Sequence, residues 1–284
     1  MTDANPDYVR KSFHFVRFMV ASEFGDRPHL LDSLKEPVLA IQEFYVLIGR
    51  ALRNIFRAPH YLDDVILQMD TIGVGSLPIV IMTGFFSGAV MALQMSRALA
   101  TYGQVGKTGM IVSLTLVREL GPVLTGLMVA GRNASGIASE LGSMKVTEQI
   151  DAMRALGTDP VQKLVTPRLE ATCVMLPLLT IIADFVGMVG GWVIAYFFLA
   201  LTSRQYWSSA WRNLEWKADV AQGLIKPLVF AVVISMVGCY YGLRTTGGTQ
   251  GVGRSTTQAV VLATVLIFVL DLLITKIFVF QGAS

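Results

Sequence analysis

The stretch MIVSLTLVRELGPVLTGLMVA, Met110–Ala130, decides how this chain is built. Nineteen of its twenty-one residues are uncharged, and at its centre stand two adjacent opposite charges, Arg118 and Glu119, followed by Gly121 and Pro122. An ionised side chain at the middle of a lipid bilayer costs about 2.5–3.5 kcal/mol on insertion scales. If Met110–Ala130 lies outside the bilayer the chain has four membrane spans; if it crosses, with its charges facing a polar cavity or a partner helix, the chain has five. The five-span reading is the one adopted.

The rest of the sequence requires a membrane protein. Of 284 residues, 53% are hydrophobic and 15% are Asp, Glu, Lys or Arg, about 28 charges fewer than a soluble domain of this length would carry. The mean hydropathy is +0.57. High apolar content with only two cysteines excludes disordered, collagen-like and disulfide-scaffold classes. The net charge of +3 comes without a dense Lys/Arg cluster, so nucleic-acid binding is not expected. Cys173 and Cys239 lie in apolar runs and read as buried thiols. The first 70 residues hold no charge-poor run, so no cleavable signal peptide is visible.

Charge-free windows locate the other spans. Thr71–Ser96 lacks a charged residue for 26 positions, enough to cross a hydrocarbon core. Further windows run over Phe185–Ser203, Pro227–Leu243 and Ser255–Leu270. The predicted class is all-α integral membrane, with spans at about 71–96, 110–130, 172–201, 225–243 and 256–279. With the N-terminus in the cytoplasm, ten basic residues fall inside (Arg50, Arg53, Arg57, Arg132, Lys145, Arg154, Lys163, Arg168, Arg244, Arg254). Six fall outside: Arg97, Lys107, Arg204, Arg212, Lys217 and, at a span boundary, Lys226. That imbalance favours N-in, C-out.

Two shorter helices are expected outside the spans. Over 39–56, Ile41, Phe44, Ile48, Leu52 and Ile55 recur at spacings of three and four, the pattern of a helix lying on a membrane surface or packed on protein. Residues 1–38 show little pattern and read as a cytoplasmic extension. Between spans two and three, Thr147 is placed to cap a helix whose first turn carries Glu148 and Asp151, and which Gly157 and Pro160 end. Its apolar face is Ile150, Met153 and Leu156. So short a helix needs a surface to dock on.

Small residues recur every fourth position at Gly84, Gly88 and Ala92, at Gly126, Ala130, Ala134, Ala138 and Gly142, and at Gly187, Gly191 and Ala195. Such ridges let helix backbones approach closely in lipid, against each other or a second subunit.

Chemistry-bearing groups are few. His14, His29 and His60 precede the first span, and no HExxH or paired-cysteine metal pattern occurs. Gly103-Gln104-Val105-Gly106-Lys107-Thr108 has Thr101 where a phosphate loop needs glycine, so it reads as a turn and the chain carries no nucleotide site of its own. Arg118 and Glu119 either form a buried ion pair that fixes helix packing or line a polar or lipid-headgroup path. Asp184 and Asp271 are single carboxylates near span ends, better suited to interfacial or pairing roles than to proton relay.

Three stretches together resemble the MlaE family of ABC-transporter permeases, associated with bacterial MCE proteins. They are Ser113–Pro122 with Ala130-Gly131-Arg132, Glu140–Ala152, and the loop Thr245–Gly248 through Gly251–Thr257. Their order and spacing cover roughly residues 65–280. Met153 stands where many members have leucine, a volume-conserving change; residues 1–38 have no identified counterpart. The resemblance implies a homodimeric permease over 39–284 in the bacterial inner membrane, with an interfacial helix and five spans per subunit. It implies no catalytic residue, cofactor or metal on this chain: ATP and Mg would be bound by two cytoplasmic ATPase subunits. An MCE-domain protein would carry phospholipids between the inner membrane and the outer one, and a STAS-domain protein could bind the ATPase. The helix Glu148–Leu156, with Glu148, Gln149, Ile150, Asp151, Met153 and Arg154, would couple to the ATPase. Arg118, Glu119 and Leu120 would lie on the lipid path, with Leu99 and Tyr102 near its outward mouth. The competing readings are an ion-coupled secondary transporter using Asp184, Asp271 or Glu119, and a structural membrane anchor.

Overall fold

A computed structural model describes residues 28–55, 57, 59, 61–212, 214, 215 and 219–281. Of the expected extension over residues 1–38, residues 1–27 lie outside the described residues, and 28–38 are helical. Two compact units divide the chain at Val46 and Leu47. Of the first, the described part is the start of helix α1 (Pro28–Ile55), which begins eleven residues before the predicted surface helix. Val38, Leu39, Ile41, Tyr45 and Val46 are exposed along it.

The second unit contains five helical stretches long and apolar enough to cross a membrane: Leu62–Ala100, Val105–Val146, Val161–Phe198, Ala221–Leu243 and Gly248–Phe278. Each extends or redraws a predicted window, and the five-span reading holds. Span 1 is α2 (Leu62–Ile72) and α3 (Leu77–Ala100), joined by a tight turn at Val74–Ser76. Span 2 strings together α4 (Thr108–Thr115), α5 (Gly121–Val129) and α6 (Ser135–Val146) through π-helical turns at Leu116–Leu120 and Ala130–Ala134. The interrupted stretch therefore crosses, and it absorbs its charges in a local widening of the helix. The short helix α7 (Gln149–Ala155) and a π turn at Val161–Val165 lead into α8 (Thr166–Phe198) of span 3. Helix α9 (Ser203–Arg212) precedes α10 (Ala221–Leu243), which is span 4, and α11 (Gly248–Gln281) carries span 5.

Alternating chain direction gives the bundle two ends. The 101–107 turn, α9 and the C-terminus of α11 share one, called here the α9 end. The other, the α7 end, holds residues 57–61, α7 and the 244–247 loop. The turn predicted at Gly103–Lys107 is present, with Gly103 at φ +64°.

The small-residue ridges pack within the chain. A Cβ added at Gly84 would sit 2.7 Å from the Ala183 carbonyl oxygen, one at Gly88 would strike the Gly187 backbone, and one at Gly190 the Phe85 carbonyl. Spans 1 and 3 thus touch backbone to backbone. The five-member ridge of span 2 is buried throughout. Gly126 lies against Phe230, Ala134 and Ala138 receive Gly238 and Gly242 of span 4, and Gly142 meets Thr245. Lipid supplies no hydrophobic drive between helices, so dispersion at these close approaches contributes to holding the bundle.

Gly88→Val should therefore lower folded yield and stability by about 1–3 kcal/mol, because neither backbone can yield to the new side chain. Gly136→Ala, where a Cβ meets open space, should be neutral or stabilising by up to about 1 kcal/mol. Melting of the detergent-purified chain reads both, and equal melting temperatures for the two variants would rule out this packing.

Candidate functional site

The charged residues of span 2 do not pair with each other. Arg118 Nε donates to Asp219 Oδ1 at 2.6 Å, and Asp219, 1% exposed, also accepts the Glu215 backbone N–H at 2.8 Å. Glu119 Oε2 accepts from Lys226 Nζ at 2.6 Å, and its Oε1 accepts from Thr275 Oγ1 at 3.1 Å and Gln222 Nε2 at 3.3 Å. Lys226 is the hub. Its side chain is 0% exposed, yet its ammonium also donates to the Arg118 backbone carbonyl at 2.9 Å and forms an ion pair with Asp271 Oδ1 at 2.8 Å. The Asp271 oxygen lies off the line of a hydrogen bond, so that contact is charge attraction alone.

Pro122 explains why the carbonyl is available. Proline has no N–H, so the fourth residue after Arg118 cannot make the ordinary helical bond to its C=O. Lys226 donates to that carbonyl. The π turn at Leu116–Leu120, just before Gly121 and Pro122, sets Arg118 towards the segment before α10 and Glu119 towards α10 and α11.

Exposure is graded across the cluster. Lys226 and Asp219 are sealed, Asp271 is 19% exposed, and Glu119 and Arg118 reach the surface at 37% and 45%. Among the described residues, the remaining guanidinium nitrogens of Arg118 carry no protein hydrogen bond. The site thus presents an anchored cation and an anchored carboxylate side by side, in a cluster of three carboxylates and two cations. Such an arrangement can hold polar headgroup chemistry at the edge of an apolar medium.

Leu99 and Tyr102 sit at the same α9 end, in the connection between spans 1 and 2: the Leu99 carbonyl accepts the Tyr102 and Gln104 N–H groups, and the Tyr102 side chain is exposed. Leu120 is half-buried and lines a small cleft between spans 1 and 2.

At the α7 end, Ile150 is fully buried, Met153 half-buried, and Leu156 is 83% exposed, so α7 docks through Ile150 and partly Met153 rather than through the three-residue face expected. Two further expectations are corrected. Thr147 donates to the Ser143 carbonyl and closes α6 instead of capping α7. Glu148 takes the position before α7 in a left-handed conformation, φ +60°, and makes no capping bond. Lys145 and Arg154 donate to Asp151 at 2.7 and 2.9 Å, and Gln149 donates to Thr147. The Lys145 hydrogen bond, with the charges of Lys145 and Arg154, holds the Asp151 carboxyl below the usual carboxylate range. Asp151 therefore stays ionised under mild acidification. Behind α7, Arg168 is buried against Glu140 at 2.7 Å, and Lys163 bonds Asp64. Both cysteines are free; Cys239 is buried as expected, Cys173 only partly.

Sequence reasoning missed Lys226, Asp219, Gln222 and Thr275. Lys226 looks like a boundary residue because it stands one place before a charge-free window. The available signal was the proline: Pro122 leaves a mid-span carbonyl in need of a donor, and Lys226 is the basic residue nearest the same end.

Five spans around a charged cluster held at one end define a multi-pass membrane permease. Residues 65–277 match the family model described as Permease MlaE, and the chain belongs to that family. It is 43% identical over 239 residues to a probable ABC transporter permease protein of Rickettsia felis, covering 84% of this chain and 92% of that one. It is 37% identical over 264 residues to Protein TRIGALACTOSYLDIACYLGLYCEROL 1, chloroplastic, of Arabidopsis thaliana, covering 93% of this chain and 72% of the relative. The intermembrane phospholipid transport system permease protein MlaE of Haemophilus influenzae is 31% identical over 242 residues, covering 83% and 93%.

Lys226→Met should destabilise the chain by about 3–5 kcal/mol, because it leaves Glu119 and Asp271 facing each other without a cation. Glu119→Gln should cost less, since the amide can still bond Thr275 and Gln222. The order of the two melting temperatures checks the hub assignment.

Proposed function

We propose that this chain is the permease subunit of an ABC transporter that moves phospholipids or related lipids, powered by ATP hydrolysed with Mg on a separate ATPase chain. The observation that carries this reading is the Arg118–Glu119 pair: both charges are anchored from behind by Asp219 and Lys226 and both reach the surface at the α9 end. An anchored guanidinium suits a lipid phosphate, because its fork matches the phosphate oxygens. Membership in a family whose Haemophilus influenzae member is named for phospholipid transport supports the same substrate class.

In this reading the chain works as a homodimer in the bacterial inner membrane, N-terminus cytoplasmic and C-terminus periplasmic. Leu99, Tyr102 and Leu120 lie along the lipid path with the charged pair. An MCE-domain protein meets the α9 end and leads lipid toward the outer membrane, and a STAS-domain protein attends the ATPase. Helix α1 lies on the membrane surface with its exposed apolar side chains in lipid. Helix α7 seats in the ATPase, with the exposed Leu156 and the charged set Glu148, Gln149, Asp151 and Arg154 facing the partner and Ile150 and Met153 holding the helix to its own chain. Ion-coupled transport through Asp184, Asp271 or Glu119 is the second reading; Glu119 and Asp271 are both ion-paired with Lys226.

A tagged chain should copurify an ATPase and an MCE-domain protein, and mass spectrometry of the extracted complex should find enriched phospholipid. Glu148→Lys combined with Asp151→Lys should lose the ATPase while still inserting in the membrane. Normal ATPase recovery and lipid transport in that double variant would refute the coupling role of α7. An active complex without bound lipid would refute the substrate class.

A further inference from the structure

One carboxylate takes no part in the charged cluster. Asp184 lies in span 3, fourteen residues before Phe198 and twenty-three after Val161, about 21 and 35 Å of helix respectively. It is well inside the helix, not near its end as the sequence windows suggest. Its side chain is 8% exposed, and Oδ1 is sealed with no hydrogen-bond partner. That oxygen is pressed against Gly121: a Cβ added there would collide with it. Gly121 and the neighbouring Ala183 also line a small, mostly apolar cleft between spans 1, 2 and 3. The cleft has room for about one water molecule, so neither a headgroup nor a hydrated cation fits.

Among the described residues, no charged group acts on Asp184. Span 1 is free of charge from Thr71 to Ser96. In span 2, Arg118 and Glu119 are turned to Asp219 and Lys226. Lys226 of span 4 is engaged by Glu119 and by Asp271 of span 5. A buried carboxylate with neither cation nor donor is among the costliest groups a membrane interior can hold. A neutral acid avoids most of that cost and can lie against a glycine Cα.

We propose that Asp184 is a proton-binding site, carried as the neutral acid while spans 2 and 3 are packed together and ionised only where they part. The proton is exchanged with bulk water where the spans part; the only bond made or broken is the carboxyl O–H. Because Gly121 directly precedes Pro122, occupancy of the site bears on the same turn that presents Arg118 and Glu119. The proton site does not depend on lipid being the cargo.

Infrared difference spectroscopy of the purified chain in lipid nanodiscs at neutral pH, wild type minus Asp184→Asn, tests the proposal. The expected result is loss of a protonated-carboxyl C=O band that shifts in D2O, with carboxylate bands unchanged. Asp184→Asn, a neutral isostere, should fold with wild-type yield. Loss of a carboxylate band instead would overturn the proposal. So would failure of Asp184→Asn to fold, because a neutral carboxyl tolerates a neutral amide of the same shape.

Discussion

The structure depends on one buried ammonium. Lys226 has no exposed surface and draws together Glu119 of span 2, Asp271 of span 5 and the backbone of Arg118. Removing an ammonium from water costs several kcal/mol even after relaxation, and the cost is met only when every donor finds a well-placed acceptor. The first acceptor is a carboxylate that also accepts from Thr275 and Gln222. The second acceptor is a carbonyl that Pro122 leaves without its usual helical donor. Asp271 adds charge attraction without a hydrogen bond. Spans 2, 4 and 5 cannot slide past one another without stranding at least one of these groups, so the cluster fixes their register as well as their packing.

That constraint also shapes what the α9 end presents. Arg118 and Glu119 differ in exposure from the residues that anchor them, and the gradient is a consequence of where the anchors sit. Asp219 precedes α10 and receives a backbone N–H as well as the guanidinium, so it is sealed. Arg118 then offers its outer nitrogens to the surroundings with its inner edge already committed. A side chain held this way has lost most of its rotamer freedom before any ligand arrives, which lowers the entropic cost of recognition.

Much of the fold was legible because membrane spans are written locally. Charge-free windows gave four spans, and a twenty-one-residue apolar run around Arg118 and Glu119 gave the fifth. The ridges Gly84–Gly88 and Gly126–Gly142 marked the faces that turned out to touch other helices. The charged partners were not legible, because they lie 45 to 107 positions apart in sequence and no local pattern joins them. Lys226 read as a boundary cation and Asp271 as an isolated carboxylate; only the fold makes them neighbours. Thr147 misled for a different reason. A threonine before an apolar helix can bond forward to α7 or backward to α6, and the sequence contains both options. The left-handed backbone at Glu148 followed from the tight reversal between those helices, which no residue preference announced.

Two kinds of adhesion meet in span 2. Toward span 3 the contacts are glycine against side chain, Gly121 against Asp184 and Gly187 against Leu116, short-ranged. Toward spans 4 and 5 the ridge of small residues continues, and ion pairs at the α9 end add direction. The dipeptide Gly121-Pro122 belongs to both sets: the missing Cβ of Gly121 admits the Asp184 carboxyl from span 3, and the missing N–H of Pro122 leaves the Arg118 carbonyl to Lys226 of span 4. Each residue is defined here by an atom it lacks, and the two absences are adjacent. A change in how span 3 packs on Gly121 is therefore felt one residue away, at the position that keeps Lys226, Glu119 and Arg118 in place. The weakest point in the helix is thus also the point through which the apolar and the charged halves of the bundle are connected.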